Sequence, residues 1–222
     1  MGIIVAIDGP AGAGKSSTAK EVAFQLGFIY IDTGAMYRAV TLEVIRSNVD
    51  VSNENQVTLI AKKLNIQFRW INKYLRTFLN NEDVSDEIRS SEVADLVSPV
   101  SAIPGVRDVM VKCQRDMAKR DNIVMEGRDI GTNVFPSADF KFYLDADIDV
   151  RAKRRISDYK KIGQELTLKE IKKEIKIRDK IDSSRRYSPL KKAYNAIIID
   201  TTNLSFKEQV EMIVNRVKKV LS

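Results

Sequence analysis

Residues 9–16, Gly-Pro-Ala-Gly-Ala-Gly-Lys-Ser, match the pattern of a glycine-rich phosphate-binding loop. Glycines at this spacing let the backbone curl around phosphate groups with its N–H groups pointing inward. In such a loop the lysine, here Lys15, reaches the β- and γ-phosphates, and the Ser16 hydroxyl binds Mg²⁺. An apolar run precedes the loop and a helical pattern follows it, which is the context this loop requires. The sequence therefore predicts that the chain holds a nucleotide.

Polar side chains also follow two other apolar runs, at 28–31 and near 123–127. They are Asp32, Thr33, Tyr37 and Arg38 after the first run, and Arg128 and Asp129 after the second. Because α/β proteins bind ligands at the carboxyl ends of their strands, we expect these side chains to face one ligand. A structural ion pair between Arg128 and Asp129 remains an alternative.

The basic charge of the chain is concentrated in one segment. Residues 151–192 hold 16 of the 37 Lys and Arg residues and 6 of the 30 Asp and Glu residues, which leaves 21 basic and 24 acidic residues elsewhere. Such a segment suits either nucleic acid or multiply charged phosphates. Within it, one face of a predicted helix carries three arginines at i, i+3 and i+4, namely Arg151, Arg154 and Arg155.

A second stripe follows a predicted break at Gly163 and a capping box formed by Thr167 and Glu170. At helical spacing it contains Ile171, Ile175, Arg178, Asp182 and Arg185. Its apolar half predicts an anchored helix, and its charged half is typical of a stripe that faces a phosphate and a sugar hydroxyl. A solvated face remains the alternative for those charges.

The alternation of strands and helices predicts an α/β fold, a five-stranded parallel sheet with helices on both faces. Residues 63–90 interrupt the alternation with three short β-prone pieces separated by turn signals, which predict a small antiparallel insert. An insert that only stabilises the fold is equally compatible with this pattern. We expect a single domain, residues 1–222, and divide it into three parts: a core (1–34, 91–150, 190–222), an acceptor-binding part with the insert (35–90), and a helical lid (151–189).

The composition limits the chemistry. Histidine is absent and Cys113 is the one cysteine, which excludes histidine-based triads, histidine metal ligands and an internal disulfide. No apolar run approaches the ~20 residues of a membrane span, and no secretory leader is visible, so we expect a cytoplasmic protein. No heptad seam is visible either, and we expect a monomer.

Phosphoryl transfer to a small acceptor fits these features, because it needs alignment, charge neutralisation and exclusion of water but no histidine base. The ordered motifs resemble those of the nucleoside-monophosphate kinases, most closely the bacterial cytidylate kinases. The motifs that carry this resemblance are IDGPAGAGKSS, DTGAMYR, EDVSDEIR, VSPVSAIPGVR, EGRDIGT, RAKRR and RDKIDSSRR. Glu126 stands where many relatives have Asp, and Thr33 stands where some have Ser.

The resemblance implies ATP as phosphoryl donor with Mg²⁺, and CMP or dCMP as acceptor, without nucleic acid or membrane. It implies donor-binding residues in the loop, namely Gly9, Pro10, Ala11, Gly12, Ala13, Gly14, Lys15, Ser16 (also the metal ligand) and Ser17. It implies acceptor-binding residues as well, namely Thr33, Tyr37, Arg38, Ser98, Arg107, Arg128, Asp129, Arg178, Asp182 and Arg185. The implied catalytic residues are Lys15, Arg128, Arg151, Arg154 and Arg155.

Within that scheme, Ser98, Arg107 and Asp129 resemble the cytosine readers, since cytosine offers an amino donor and two acceptors. Two other functions remain open from the sequence. One is a different small-molecule kinase, acting on UMP, AMP, shikimate or dephospho-coenzyme A. The other is a nucleic-acid-dependent ATPase that uses residues 151–192 as its contact surface.

Overall fold

Short apolar strands pair side by side in the computed structural model, which describes residues 2–72, 74–119, 121–161 and 166–221. Five of them form one sheet in the order β2–β6–β1–β7–β8, and β1 pairs in parallel with β6 and β7, as β7 does with β8. Their bounds are β1 Ile4–Asp8, β2 Ile29–Asp32, β6 Ile123–Gly127, β7 Phe140–Asp145 and β8 Ile197–Asp200. The parallel five-stranded sheet predicted from the sequence is confirmed.

Contacts divide the chain into two compact units. Unit 1 comprises residues 1–31 and 118–222, and unit 2 comprises residues 32–117. The helices of unit 1 are α1 Lys15–Leu26, α6 Ile148–Lys161, α7 Leu168–Ser184 and α8 Phe206–Leu221. The division into core, acceptor-binding part and lid concerns function, and it stays a prediction.

The helices of unit 1 bury the faces that their apolar periodicity predicts. α8 buries Val210, Ile213, Val214 and Val217, and the capping box of Ser205 and Glu208 closes its N-terminus. α6 and α7 pack through a separate cluster that contains Ala152, Tyr159, Ile171 and Ile175. The Thr167–Glu170 capping box is present as predicted, whereas the predicted break at Gly163 lies outside the described residues.

Unit 2 contains the helices α2 Thr33–Arg46, α3 Glu54–Lys63, α4 Ser91–Ala102 and α5 Pro104–Met117. It also contains the predicted antiparallel insert, formed by β3 Ile66–Ile71, β4 Tyr74–Leu79 and β5 Glu82–Asp83. Asn80 and Asn81 adopt left-handed backbone angles between β4 and β5, as an asparagine turn requires.

The prediction for the third piece of the insert, 82–89, is wrong in part. Only Glu82 and Asp83 pair as a strand, and Glu87–Arg89 form a 3₁₀ turn instead. The reason is a set of ion pairs with a residue far away in the chain. Arg46, at the end of α2, donates to Glu82 and to Glu87, with N–O distances of 2.8 and 2.7 Å. These contacts hold the segment against α2 and end its pairing with β4.

Within the described residues, no helix is long and apolar enough to cross a membrane. Cys113 lies half-buried on α5 and has no disulfide partner. Burial raises the pKa of its thiol, which favours the neutral form. This agrees with the packing role that its helical context indicates.

Candidate active site

The phosphate-binding loop connects β1 to α1 in unit 1, as the motif predicts. Gly9 begins the loop with a φ of 150°, and a Cβ atom built there would lie 2.0 Å from the carbonyl oxygen of Leu144. No other residue fits at this position without moving the backbone of β7. Gly14, with a left-handed φ of 89°, immediately precedes the first residue of α1. The loop therefore leads directly into a helix N-terminus, where backbone N–H groups favour a bound anion.

Lys15 is buried at the start of α1 and donates from Nζ to the carbonyl oxygen of Pro10, at 2.7 Å. Burial, together with the positive charges of Arg128 and Arg178, lowers the pKa of its ammonium to about 7, against the opposing effect of Glu126. The negative charge near the Lys15 ammonium is too small to offset the effect of burial on its pKa. The phosphates of a nucleotide would supply that charge.

Ser16 donates its hydroxyl to Oε1 of Glu126, the last acidic residue of β6. The hydroxyl of Tyr30, on β2, donates to the same oxygen at 3.3 Å. Hydroxyl and carboxylate oxygens are the hard ligands that Mg²⁺ prefers. The described residues contain no group of three or more acidic, cysteine or histidine side chains that would hold a metal alone. This donor set therefore suits a Mg²⁺ ion that arrives with phosphates.

Arg128 lies just beyond β6 and binds Asp182, on α7, with an Nε–Oδ2 distance of 2.8 Å. Asp182 is buried, and Arg185 approaches its other oxygen at 3.7 Å. Burial alone would raise the pKa of Asp182, but Arg128, Arg185 and Arg178 together hold it below its usual value. The charged half of the predicted stripe is thus an internal cluster, and the solvated face proposed as its alternative is wrong for Asp182.

The helical stripe is one residue shorter than its pattern predicts. α7 ends at Ser184, and Arg185 follows it with extended backbone angles, φ −62° and ψ 139°. Its Nε donates to the carbonyl oxygen of Ser188 at 2.8 Å. Arg185 reaches Asp182 from this turn rather than from the helix, because the turn folds back and the N–H of Leu190 bonds to the carbonyl of Asp182 at 2.7 Å.

The three arginines of α6 lie on one side of the helix but contact different partners. Arg151 is buried and donates to the carbonyl oxygens of Ala11 and Ala146, both at 3.1 Å, and to Oδ2 of Asp179 at 2.5 Å. Arg151 thereby ties the phosphate-binding loop to α7. A guanidinium in this position shapes the loop as well as adding charge beside it.

Arg154 and Arg155 are more exposed than Arg151. Arg154 donates to the hydroxyl and carbonyl oxygens of Thr201, at 3.0 and 2.9 Å, and the Thr201 hydroxyl in turn donates to the carbonyl of Ala13. Arg155 contacts Glu174 at 3.4 Å. Arg154 therefore borders the phosphate-binding loop through Thr201, whereas Arg155 belongs to the α6–α7 pair.

Asp129 follows Arg128 and is buried. One of its oxygens, Oδ2, accepts from Nδ2 of Asn133 at 3.2 Å. A π-helical turn, Ile130–Val134, begins immediately after it. Single π-turns of this kind occur frequently at functional sites. The Arg128 guanidinium donates to Asp182, so Arg128 has a carboxylate partner other than the Asp129 weighed from the sequence.

The predicted acceptor-binding residues of unit 2 form two groups of their own. At the start of α2, Asp32 caps the helix by accepting from the N–H of Ala35 at 2.8 Å. Asp32 also accepts from Arg38 at 3.2 Å. Thr33 is the first residue of the helix. Nε of Arg38 is buried without a hydrogen-bond partner among the described residues. This cation therefore has an unused donor at the site predicted for a phosphate-bearing ligand.

The second group in unit 2 surrounds Arg107 of α5, which is 2% exposed. Its guanidinium lies 5.3 Å from the ring centre of Tyr37 and donates to the carbonyl of Ser101 at 3.2 Å. The hydroxyl of Ser101 in turn donates to the carbonyl of Ser98. The structure thus brings the predicted readers Ser98 and Arg107 together with Tyr37. A buried guanidinium is costly unless it is paired or hydrogen-bonded, and the Ser101 carbonyl supplies one such bond here.

The chain matches the family model of cytidylate kinase over residues 5–219. It is 49% identical to the cytidylate kinases of Caldanaerobacter subterraneus and Oceanobacillus iheyensis, and the alignments cover 97% and 98% of this chain and 94% of each relative. The cytidylate kinase of Alkaliphilus oremlandii is 47% identical, with 97% of this chain and 98% of the relative covered. The chain belongs to the cytidylate kinase family.

Solved structures extend the likeness of this cytidylate kinase family member to other kinases, at the level of the fold alone. A shikimate kinase from Bacteroides thetaiotaomicron superposes with a TM-score of 0.50 at 16% identity, over 99% of this chain and 98% of that one. A gluconokinase from Sinorhizobium meliloti gives 0.50 at 12% identity, over 99% and 93%. Membership of the family confirms the resemblance predicted from the sequence, and the fold class with it.

Four residues at or near the phosphate-binding loop of this cytidylate kinase family member were missed as site residues or noted only in passing. They are Asp8, Glu126, Asp179 and Thr201. Each lies at the end of a strand or next to a predicted arginine, and each contacts a residue far away in the chain. A polar residue that closes an apolar run, as Asp8 and Glu126 do, is the one signal that points to two of them.

Proposed function

We propose that this chain transfers the γ-phosphoryl group of ATP to CMP or dCMP, giving ADP and CDP or dCDP. The observation that carries the proposal is the match to the cytidylate kinase family over residues 5–219, with relatives at 45–49% identity over nearly the whole chain. The buried Lys15 and the loop that surrounds it supply the phosphate site that this reaction requires.

For the donor, we assign ATP to the loop from Gly9 to Ser17, with Lys15 on the phosphates. Ser16 and Glu126 are assigned to Mg²⁺, since they present a hydroxyl and a carboxylate oxygen beside the loop. When bound, the ion neutralises phosphate charge. Arg151 keeps the loop in shape through the carbonyl of Ala11, and its guanidinium adds positive charge beside the phosphates.

For the acceptor, we assign the phosphate of CMP to Arg38, Arg128 and Arg185, and its sugar to Arg178 and Asp182. The exposed fraction of the Asp182 side chain is 5%, and buried carboxylates of this kind are suited to accept from a sugar hydroxyl. The cytosine ring is assigned to Ser98, Arg107 and Asp129, whose acceptor and donor groups complement its edge. Thr33 and Tyr37 complete the acceptor set.

We assign Lys15, Arg128, Arg151, Arg154 and Arg155 to the neutralisation of the transferred phosphoryl group. Residues 1–34, 91–150 and 190–222 act as the core in this scheme, 35–90 as the acceptor-binding part and 151–189 as the lid. A monomer in the cytoplasm, independent of nucleic acid and membrane, completes the proposal.

The test is ADP release measured with a panel of acceptors: CMP, dCMP, UMP, AMP and shikimate. We expect CMP and dCMP to give the highest kcat/KM, and Lys15→Ala to abolish release because the phosphate contact is lost. Faster turnover of AMP or shikimate than of CMP would contradict the proposal. A parallel assay with single-stranded RNA and no acceptor should give no stimulation of ATP hydrolysis, and strong stimulation would favour the ATPase alternative instead.

A further inference from the structure

Asp8, the last residue of β1, is a charged side chain that the assigned roles leave unused. It is 3% exposed and immediately precedes Gly9, where the phosphate-binding loop begins. Burial raises the pKa of its carboxyl to about 6, against two backbone hydrogen bonds that lower it. A carboxyl group kept at such a buried position is expected to do something that an apolar residue cannot do.

The carboxylate of Asp8 accepts two hydrogen bonds from one short stretch. Oδ1 accepts from the N–H of Ile130 and Oδ2 accepts from the N–H of Gly131, both at 2.8 Å. These are the first two N–H groups of the π-helical turn Ile130–Val134. Because the first N–H groups of a helical turn have no partner within the turn, the carboxylate satisfies both and holds the turn at its N-terminus.

The turn fixed in this way starts directly after Arg128 and Asp129. The carbonyl of Asp129 accepts from the N–H groups of Asn133 and Val134, at 2.9 and 3.1 Å, and the side chain of Asn133 donates to Asp129 Oδ2. The backbone and one side-chain oxygen of Asp129 are therefore held by the turn that Asp8 caps.

Gly131, whose N–H group donates to Asp8, lies close to the carboxylate. A Cβ atom built on it would lie 3.4 Å from Asp8 Oδ2 and 3.2 Å from Cδ of Lys141. The Cβ atom would therefore touch the carboxylate at van der Waals distance and crowd the flexible side chain of Lys141. Gly131→Ala is a mild perturbation of the contact between Asp8 and the turn.

We propose that Asp8 is a positioning residue that ties the start of the phosphate-binding loop to the acceptor-binding pair Arg128 and Asp129, and that it sets the selectivity for the cytosine base through Asp129. This inference rests on the proposed function, which assigns Asp129 to the base. Both oxygens of Asp8 accept a backbone N–H group, which is the geometry of a capping and positioning residue.

The test is Asp8→Asn in the full chain, because it keeps the shape but places an amide NH₂ against one backbone N–H. We expect KM for CMP to rise about tenfold, the cost of one charge-assisted hydrogen bond. We expect the preference for CMP over UMP, as a ratio of kcat/KM values, to fall by about tenfold as well. The Kd of a non-hydrolysable ATP analogue should change less than threefold, because the charge of Asp8 acts on the pKa of Lys15 less than burial, Arg128 and Glu126 do.

Asp139→Asn is the matched control. Asp139 accepts from the N–H of Ile4 at 2.8 Å, at the opposite end of the same strand. The Asp139→Asn variant should be less stable than the wild type, with unchanged KM values and an unchanged preference for CMP over UMP. If Asp8→Asn weakens the ATP analogue and CMP equally, or leaves the CMP to UMP ratio unchanged, the positioning role is wrong and Asp8 is structural only.

A second variant keeps the test decisive if Asp8→Asn does not fold by circular dichroism. Gly131→Ala should then lower the CMP to UMP ratio about threefold, and an unchanged ratio would overturn the inference. The wild-type chain separates the two proposals. If it phosphorylates some other acceptor best, the assignment of CMP fails, and the role of Asp8 is judged by whether Asp8→Asn raises KM for that acceptor selectively over ATP.

Discussion

Nucleotide binding at pH 8 should make the chain take up a proton, because the Lys15 side chain is mostly unprotonated before the phosphates bind. Burial, with Arg128 and Arg178 nearby, lowers the pKa of Lys15 to about 7. At pH 8 a group with that pKa is about 10% protonated. The phosphates of ATP add negative charge beside Nζ and return the pKa toward its ordinary value of about 10.4, so that the group becomes fully protonated. The expected uptake at pH 8 is about 0.9 proton per site.

The assay is calorimetric titration of a non-hydrolysable ATP analogue with Mg²⁺ at pH 8, in several buffers of different ionisation enthalpy. The slope of observed enthalpy against ionisation enthalpy gives the number of protons taken up, and we expect about 0.9. Lys15→Arg is the control, because a guanidinium does not titrate in this range and should bring the slope close to zero. Affinity should also fall as pH rises above 7, by up to about tenfold per pH unit. A zero slope for the wild type would refute this reasoning.

Three further changes follow from the contacts. Asp129→Ala should raise KM for CMP far more than the Kd for ATP, measured by steady-state kinetics and calorimetry, and equal losses would contradict its assignment to the base. Asp182→Ala leaves Arg128 without its buried partner and should lower the free energy of unfolding by about 3–5 kcal/mol in urea titrations. The control is Glu211→Ala in the exposed Lys207–Glu211 pair, which should leave the free energy of unfolding nearly unchanged. Because the pKa of Asp182 is depressed, its stabilising effect should be present at neutral pH and lost as pH falls below the usual carboxyl range; a stability difference from the Asp182→Ala variant that persists in acid would contradict this.

Local patterns predicted much of the fold because they act over short distances along the chain. The loop at 9–16 leads into α1, and the capping box of Thr167 and Glu170 begins α7, both as expected. The prediction of a strand failed at Glu87–Arg89 because Arg46, about 40 residues earlier, forms an ion pair with Glu87 and holds that segment against α2. Propensity along 82–89 carries no information about that contact.

The site was predicted less completely than the fold, for a related reason. Arginines and the loop lysine stand out in the sequence by type and spacing. The carboxylates that hold them do not, since each is recognised only by its partner in space. Asp8 meets Ile130 across 122 positions, Asp182 meets Arg128 across 54, and Asp179 meets Arg151 across 28. The Asp8 contact follows from the sheet topology, which brings the ends of β1 and β6 side by side, whereas the other two depend on where α7 packs.

The transfer of labelled phosphoryl from [γ-³²P]ATP, with the products separated by chromatography, tests the central claim most directly. With CMP as acceptor, the label should appear in CDP in a one-to-one ratio with the ADP formed, and with dCMP it should appear in dCDP. UMP and AMP at the same concentration should receive much less. Label released chiefly as inorganic phosphate, or transferred to AMP or UMP faster than to CMP, would contradict the account.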